Sequence, residues 1–326
     1  MQRKEIGGMA CLVLTAMIWG FAFVSQVQGM ASMSPLFFGA TRFTLGALSL
    51  IPLLWFRRRG IAEQERRRRE SNECPTVTLG NGITVAMPKC LGNPVVVSVI
   101  CGIVLFTAST VQQYGILYSG SAGRSGFITA LYIVLVPLAG MFLGKKANKR
   151  LFLCVLIAVV GLYFLCFTGS EGAMSFGRGD FLVFLCAFAF TGHILCVDHY
   201  VQKVDGIALS CVQFAVMMVL STVCAFTFET VDFAALGECT FYILYIGILS
   251  SAGGYTLQIL AQKDGDPTVV SLLLSLESFF AVVCGAIILH ERMSGREYLG
   301  CALMLTAVLL SQLPEKTADA AEPQKK

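Results

Sequence analysis

Residues 267–289 read PTVVSLLLSLESFFAVVCGAIIL, and Glu277 is the only formally charged residue among them. An α-helix needs about 20 mainly apolar residues to cross roughly 30 Å of hydrocarbon, so the run is long enough to span a bilayer. Glu277 then sits near the midplane, where insertion-based scales put a charge at about 2.5–3.5 kcal/mol. Such a carboxyl needs a place away from lipid. Ser271, Ser275, Ser278, Val282 and Gly285 recur every three or four residues in the same run. At about 100° per residue they form one stripe, and stripes of small side chains let membrane helices approach closely. Glu277 lies roughly 100° to one side of Ser278, where it can meet a helix boundary or open onto a cavity.

The rest of the chain repeats the pattern. Hydrophobic residues make up 56% and charged residues 13%, against about 25% charged in soluble domains. Runs of span length have approximate bounds 7–28, 35–56, 94–117, 122–143, 150–169, 180–200, 207–228, 239–262, 267–290 and 296–313. The expected fold is an all-α membrane protein with ten transmembrane helices. Lys and Arg set the orientation. With the N-terminus inside, 19 of the 24 fall in inner segments and four (Arg124, Arg178, Arg292, Arg296) in outer loops, with Arg42 inside a span. Both termini are thus expected in the cytoplasm, and the protein in the cell (cytoplasmic) membrane as a multi-pass chain. The opening MQRKEIGGMACLVLTAMIWG has the basic flank of a signal peptide. Its apolar run is too long and lacks a small-residue cleavage site, so it reads as a retained first span. Ten of the thirteen cysteines lie inside apolar runs, where they act as small hydrophobes. Cys74 and Cys90 lie in a basic inner loop, where a disulfide is not expected.

Ten spans divide into five and five. A shift of 171 residues puts the WGFAF region of span 1 on span 6 and Phe43 on Phe214. A shift of 146 puts Gln112 on Gln258, Ser125 on Ser271 and Arg150 on Arg296. The difference falls within 57–90, which is then an insertion in the first half. The domains expected are a first repeat at 7–169, a second at 180–313 and a polar tail at 314–326. Five is odd, so the second half enters the membrane from the opposite side. Such inverted five-helix repeats suit a secondary transporter with its site between the halves. Within the insertion, RRRGIAEQERRRRE (57–70) reads as a topological anchor, or as a segment attracting anionic lipid headgroups. No aromatic residues separate the arginines, so nucleic acid is not an expected partner. TVTLGNGITVAMPKC (76–90) alternates around Asn81-Gly82, a hairpin signal.

SAGRSGFITALYIVLVP (121–137) and YTLQILAQKDGDPTVVSLLLSLESFFAVVCGAIILHERMS (255–294), with Trp19-Gly20 and Arg42-Phe43, resemble EamA-type permeases of the drug/metabolite transporter superfamily. The resemblance covers roughly 8–313 apart from the insertion. It implies two inverted five-helix repeats, a central pathway between them, and solute transport without ATP. It fixes no substrate: such permeases carry amino acids, other metabolites or toxic compounds, often outward. Two positions depart from the family pattern. Ser278 follows Glu277 where proline is usual, and His290-Glu291 stands in place of Gly-Glu.

The candidate pathway and coupling residues are polar or aromatic groups inside spans. Glu277 is either a proton or substrate-amine site or a hydrogen-bonded packing carboxyl. Arg42 either attracts an anionic substrate or pairs structurally, and a direct Arg42–Glu277 pair is one option. Gln112 and Gln258, matched by the repeat, either present amides to the pathway or bond neighbouring helices. Trp19 and Tyr132 either wall a pocket or pack. His193 either titrates or packs through a hydrogen bond. No catalytic or metal site is expected. GRGD (177–180) matches a membrane aspartyl protease string, but Asp198, the nearest second aspartate, ends the same span about five turns away. His193 and His199 are six apart, on different helix faces, and no phosphate loop or nucleophile elbow occurs. No cofactor is expected. The expected function is a secondary permease for a small organic solute, working outward and proton-linked. The other reading is a non-transporting structural or regulatory membrane protein on the same scaffold. Gly140-x-x-x-Gly144 offers a helix contact within one chain or in a homodimer.

Overall fold

In hydrocarbon every backbone N–H and C=O needs a partner inside the protein, and a helix satisfies them within one segment. The computed structural model describes residues 2–71, 76–78, 84–86, 93–142, 149–166, 177–201, 204–264 and 267–311. The first half holds α1 (Gln2–Gly29), α2 (Pro35–Ser71), α3 (Pro94–Ser119), α4 (Ala122–Thr129), α5 (Tyr132–Phe142) and α6 (Lys149–Cys166). The second holds α7 (Arg178–Val201), α8 (Gly206–Phe228), α9 (Ala235–Glu238), α10 (Thr240–Leu244), a π-helical segment (Tyr245–Tyr255), α11 (Thr256–Asp264), α12 (Pro267–Ile288) and α13 (Gly295–Ser311). Among the described residues seven segments are long and apolar enough to cross a membrane: Gly7–Gly29, Pro35–Glu63, Pro94–Ser119, Ala122–Met141, Arg178–Tyr200, Gly206–Phe228 and Thr240–Lys263. Leu276–Ile288 is a shorter apolar helix.

Two of the expected spans are not single α-helices. The 122–143 run breaks at Ala130–Leu131. There Ile133 N–H donates to Ala130 O and Val134 N–H to Leu131 O, both at 3.0 Å. These i→i+3 bonds tighten the backbone and re-aim α5. The 239–262 run passes through the π-helical segment before resuming as α11. By contrast α12 is continuous through Glu277-Ser278. The basic stretch after position 56 prolongs α2 to Ser71, and Arg66 pairs with Glu63 one turn earlier at 3.1 Å. Beyond it, strands β1 (Thr76–Thr78) and β2 (Thr84–Ala86) pair antiparallel, with Val77 opposite Val85. That ladder flanks the hairpin signal; Asn81 and Gly82 themselves lie outside the described residues, as do Cys74, Cys90, Gly144 and the 314–326 tail.

Four helix pairs dominate the packing: α1 on α12, α2 on α8, α3 on α7, and α6 on α13. In addition α1 packs on the π segment and α11, while α7 packs on α4 and α5. Carboxylates fasten the helix ends, because the first N–H groups of a helix have no intrahelical acceptor. At one end of the α2–α8 pair, Glu229 accepts from the N–H groups of Leu36 (3.0 Å) and Phe37 (3.1 Å) and from the Tyr114 hydroxyl (2.6 Å). At the other end Asp205 caps α8 through Ile207 N–H (3.0 Å) and Ala208 N–H (3.2 Å), and meets Arg57 at 3.2 Å. Between them Phe43 lies against Phe214, ring centroids 5.7 Å apart. The two helices are therefore antiparallel. Gly120, at φ 66°, turns the chain sharply from α3 to Ser121, the N-cap of α4. Glu291 reaches the same N-terminus, accepting from Ala122 N–H (2.7 Å), Gly123 N–H (3.2 Å) and the Ser121 hydroxyl (2.9 Å). Just before it His290 takes φ 54°, a left-handed conformation that a glycine adopts without strain.

The cap at Asp205 outweighs its ion pair, because Arg57 is 54% exposed and exposed pairs contribute little. Asp205→Ala is expected to lower unfolding free energy in mixed micelles by about 1 kcal/mol. Arg57→Ala should cost less than half of that; an equal or larger loss would contradict the ranking.

Candidate functional site

Elements of both halves meet around one buried cavity. About 510 Å³ of space free of atoms lies there, counting the part that opens to solvent. Trp19, Arg42, Gln112, Tyr132, His193, Gln258 and Glu277 all line it. They come from α1, α2, α3, α5, α7, α11 and α12 respectively. Gln26, Thr129, Phe190, Ser250 and Tyr255, which the sequence reading passed over, line it too.

Glu277 is only 4% exposed. Tyr132, the first residue after the α4–α5 break, donates its hydroxyl to Glu277 Oε1 at 2.9 Å. The break is what brings this phenol to the carboxyl. Beside Glu277, the buried Ser278 and the residues after it pack on α4: a Cβ on Gly126 would lie 2.8 Å from Ala281 Cβ and 3.5 Å from Ser278 Cα. The side chains of Ser271 and Ser275 lie outside the described residues. Arg42 does not pair with Glu277. Its Nε donates to Ser251 Oγ and its Nη1 to Gln26 Oε1, each at 3.3 Å, and the guanidinium lies 4.6 Å from the Phe43 ring centre. Its side chain is buried, 3% exposed. The reason is register: Gln26 follows Trp19 by seven residues on α1 and offers the nearer acceptor, while Tyr132 occupies Glu277.

Gln112 Nε2 donates to Thr129 Oγ1 at 3.3 Å. Its repeat mate Gln258 leaves Oε1 without a hydrogen-bond partner among the described residues. His193 Nε2 lies 3.3 Å from Gln213 Oε1, and Tyr255 stands edge-on to the imidazole at 6.2 Å. Trp19 Nε1 donates to the carbonyl of Ser250 at 3.1 Å, and its ring lies 4.8 Å from that of Tyr255. Tyr245 returns the contact from the π segment, donating to Ile18 O at 2.8 Å. The π segment, whose wider turns often mark functional sites, thus holds α1 at two adjacent residues, Ile18 and Trp19. Of the residues passed over, Gln26 and Tyr255 carried a signal. Gln26 interrupts an apolar run on the face of Trp19, and Tyr255 sits three before Gln258. Ser250 contributes a backbone carbonyl, which no sequence pattern marks.

A family model described as "EamA-like transporter family" matches residues 6–167 and 177–313. The chain belongs to the EamA-like transporter family. An uncharacterized transporter of Archaeoglobus fulgidus is 28% identical over 305 residues, covering 93% of this chain and 84% of its own. The uncharacterized transporter YwfM of Bacillus subtilis is 24% identical, covering 95% and 96%. A solved crystal structure superposes with TM-score 0.66 at 16% identity, over 94% of this chain and 96% of that one, and shows the fold alone. The protein is accordingly a multi-pass membrane transporter of the drug/metabolite type, and these relatives point away from an enzyme.

Gly254 makes room for the indole: a Cβ there would collide with Trp19 Nε1. The chain has two tryptophans, Trp19 and Trp55. In a Trp55→Phe background, Gly254→Ala is expected to break the Trp19–Ser250 bond and shift the emission maximum. An unchanged spectrum would contradict this packing.

Proposed function

We propose that this EamA-like transporter moves a small organic solute across the cytoplasmic membrane by alternating access, outward and coupled to protons, through the cavity that holds Glu277. The observation that carries this reading is convergence. Polar and aromatic side chains from both halves meet at one buried place, and the one carboxyl there among the described residues is held by a phenol from the opposite half.

Several features support a ten-helix, doubly repeated architecture with both ends in the cytoplasm. The helix contacts map onto themselves when the halves are exchanged: α1 meets the π segment, α11 and α12 as α7 meets α3, α4 and α5, while α2–α8 and α6–α13 are self-matched. Phe43 and Phe214, equivalent under the 171-residue shift, touch each other, as residues near a two-fold axis do. The antiparallel α2–α8 pair fits an inverted second half. On this topology the basic helix after position 56 lies at the inner surface, within reach of anionic headgroups.

Glu277 is the coupling residue in this reading. A carboxyl enclosed by protein at the membrane midplane can exchange a proton with each side in turn only if the cavity opens to each in turn. The test compares small molecules in the medium of cells carrying empty vector, the native protein, or Glu277→Gln at matched membrane levels. A solute that accumulates outside with the native protein alone is the expected result. Accumulation with both proteins would reduce Glu277 to a packing residue. No difference among the three would favour uptake or a non-transporting role.

A further inference from the structure

We infer that the solute carries an anionic head, a carboxylate or similar oxyanion, which Arg42 binds, together with an N–H or O–H donor that Gln258 Oε1 accepts. This rests on the cavity being the transport site. Arg42 is always charged and almost fully buried, yet its hydrogen-bond partners are neutral: Ser251, Gln26 and, beneath it, the Phe43 ring. Neutral acceptors solvate a guanidinium; they do not cancel its charge. The same fold supplies acids to other arginines. Arg124 meets Asp180 at 2.9 Å and Arg57 meets Asp205 at 3.2 Å. Among the described residues no carboxylate pairs with Arg42, and the one carboxyl in its cavity accepts from Tyr132 instead. A buried charge left without a counter-ion and facing a cavity is an anion site, and the planar guanidinium fork suits a carboxylate.

Gln258 supplies an independent observation. It is 2% exposed, it lines the same cavity, and its Oε1 has no donor among the described residues. A buried acceptor without a partner is uncommon, and a ligand N–H or O–H would satisfy it. Trp19 and Tyr255, in contact at 4.8 Å, give the ligand's apolar body an aromatic wall. The solute class is therefore a small anion or zwitterion with a donor group, rather than a lipophilic cation.

The test uses purified full-length protein and a panel of small hydroxy and amino carboxylates paired with their primary amides, from glycolate and glycolamide to phenyllactate and phenyllactamide. Thermal unfolding is followed for the native protein, Arg42→Lys, Arg42→Gln and Gln258→Leu. At least one carboxylate is expected to raise the midpoint of the native protein while its amide does not. Its affinity should fall at least tenfold in Arg42→Gln, with Arg42→Lys in between, and fall again in Gln258→Leu for acids that also carry a donor. The inference is overturned if no carboxylate in the panel binds, if amides match their acids, or if Arg42→Lys binds as the native protein does. That last comparison holds even if Arg42→Gln fails to fold. Flux in liposomes separates the two readings: carboxylate binding without flux would overturn transport and leave the anion site standing, and flux of neutral amides alone would do the reverse.

Discussion

The hydrogen bond from Tyr132 to Glu277 joins the two halves where both side chains are buried. A carboxyl and a phenol left separately in hydrocarbon would each lack a partner, at a cost of several kcal/mol. Placed together they satisfy one another, and that fixes much else. Tyr132 reaches Glu277 only because the 122–143 run breaks at Ala130–Leu131. α12 comes close to α1 because Gly20 lacks a side chain; a Cβ there would lie 2.9 Å from Glu277 O and collide with Phe280. The cavity is what remains between helices held apart at these polar contacts and drawn together at the glycines.

The carboxylates at the helix ends obey the same constraint. Glu229 and Glu291 each serve an α-helix N-terminus that belongs to the other half, and Asp180 of α7 binds Arg124 of α4. All three gather at the end of the bundle opposite the Arg57–Asp205 contact. An opening of that end in the proposed transport cycle would part contacts that cross between the halves; at the other end the Arg57–Asp205 pair crosses between them too.

Much of this was legible in the sequence because hydrocarbon makes polar residues conspicuous. Glu277, Arg42, Gln112, Gln258 and His193 stand out within apolar runs, and the cavity gathers all of them, with Trp19 and Tyr132. The match of Phe43 to Phe214 by a shift of 171 residues reappears as a ring contact. What was hidden has a common cause. Hydropathy reports how long an apolar run is and says nothing of its continuity, so the break before Tyr132 and the π turns at Tyr245–Tyr255 left no mark. Glu229 and Leu36 are 193 residues apart, and a cap made across that separation has no local motif. The Arg42–Glu277 pair looked plausible from charge alone and failed because Gln26 and Tyr132, each on a helix already in place, were nearer partners.

Alternating access requires that the cavity be reached from each side of the membrane in turn. Its most direct test needs no knowledge of the solute. In a protein whose thirteen native cysteines have been replaced, Gln258→Cys would be exposed to a membrane-impermeant thiol reagent in right-side-out and in inside-out vesicles. Modification from both sides, while the vesicles stay sealed, is the predicted result. Modification from one side only, or from neither, would contradict alternating access through this cavity.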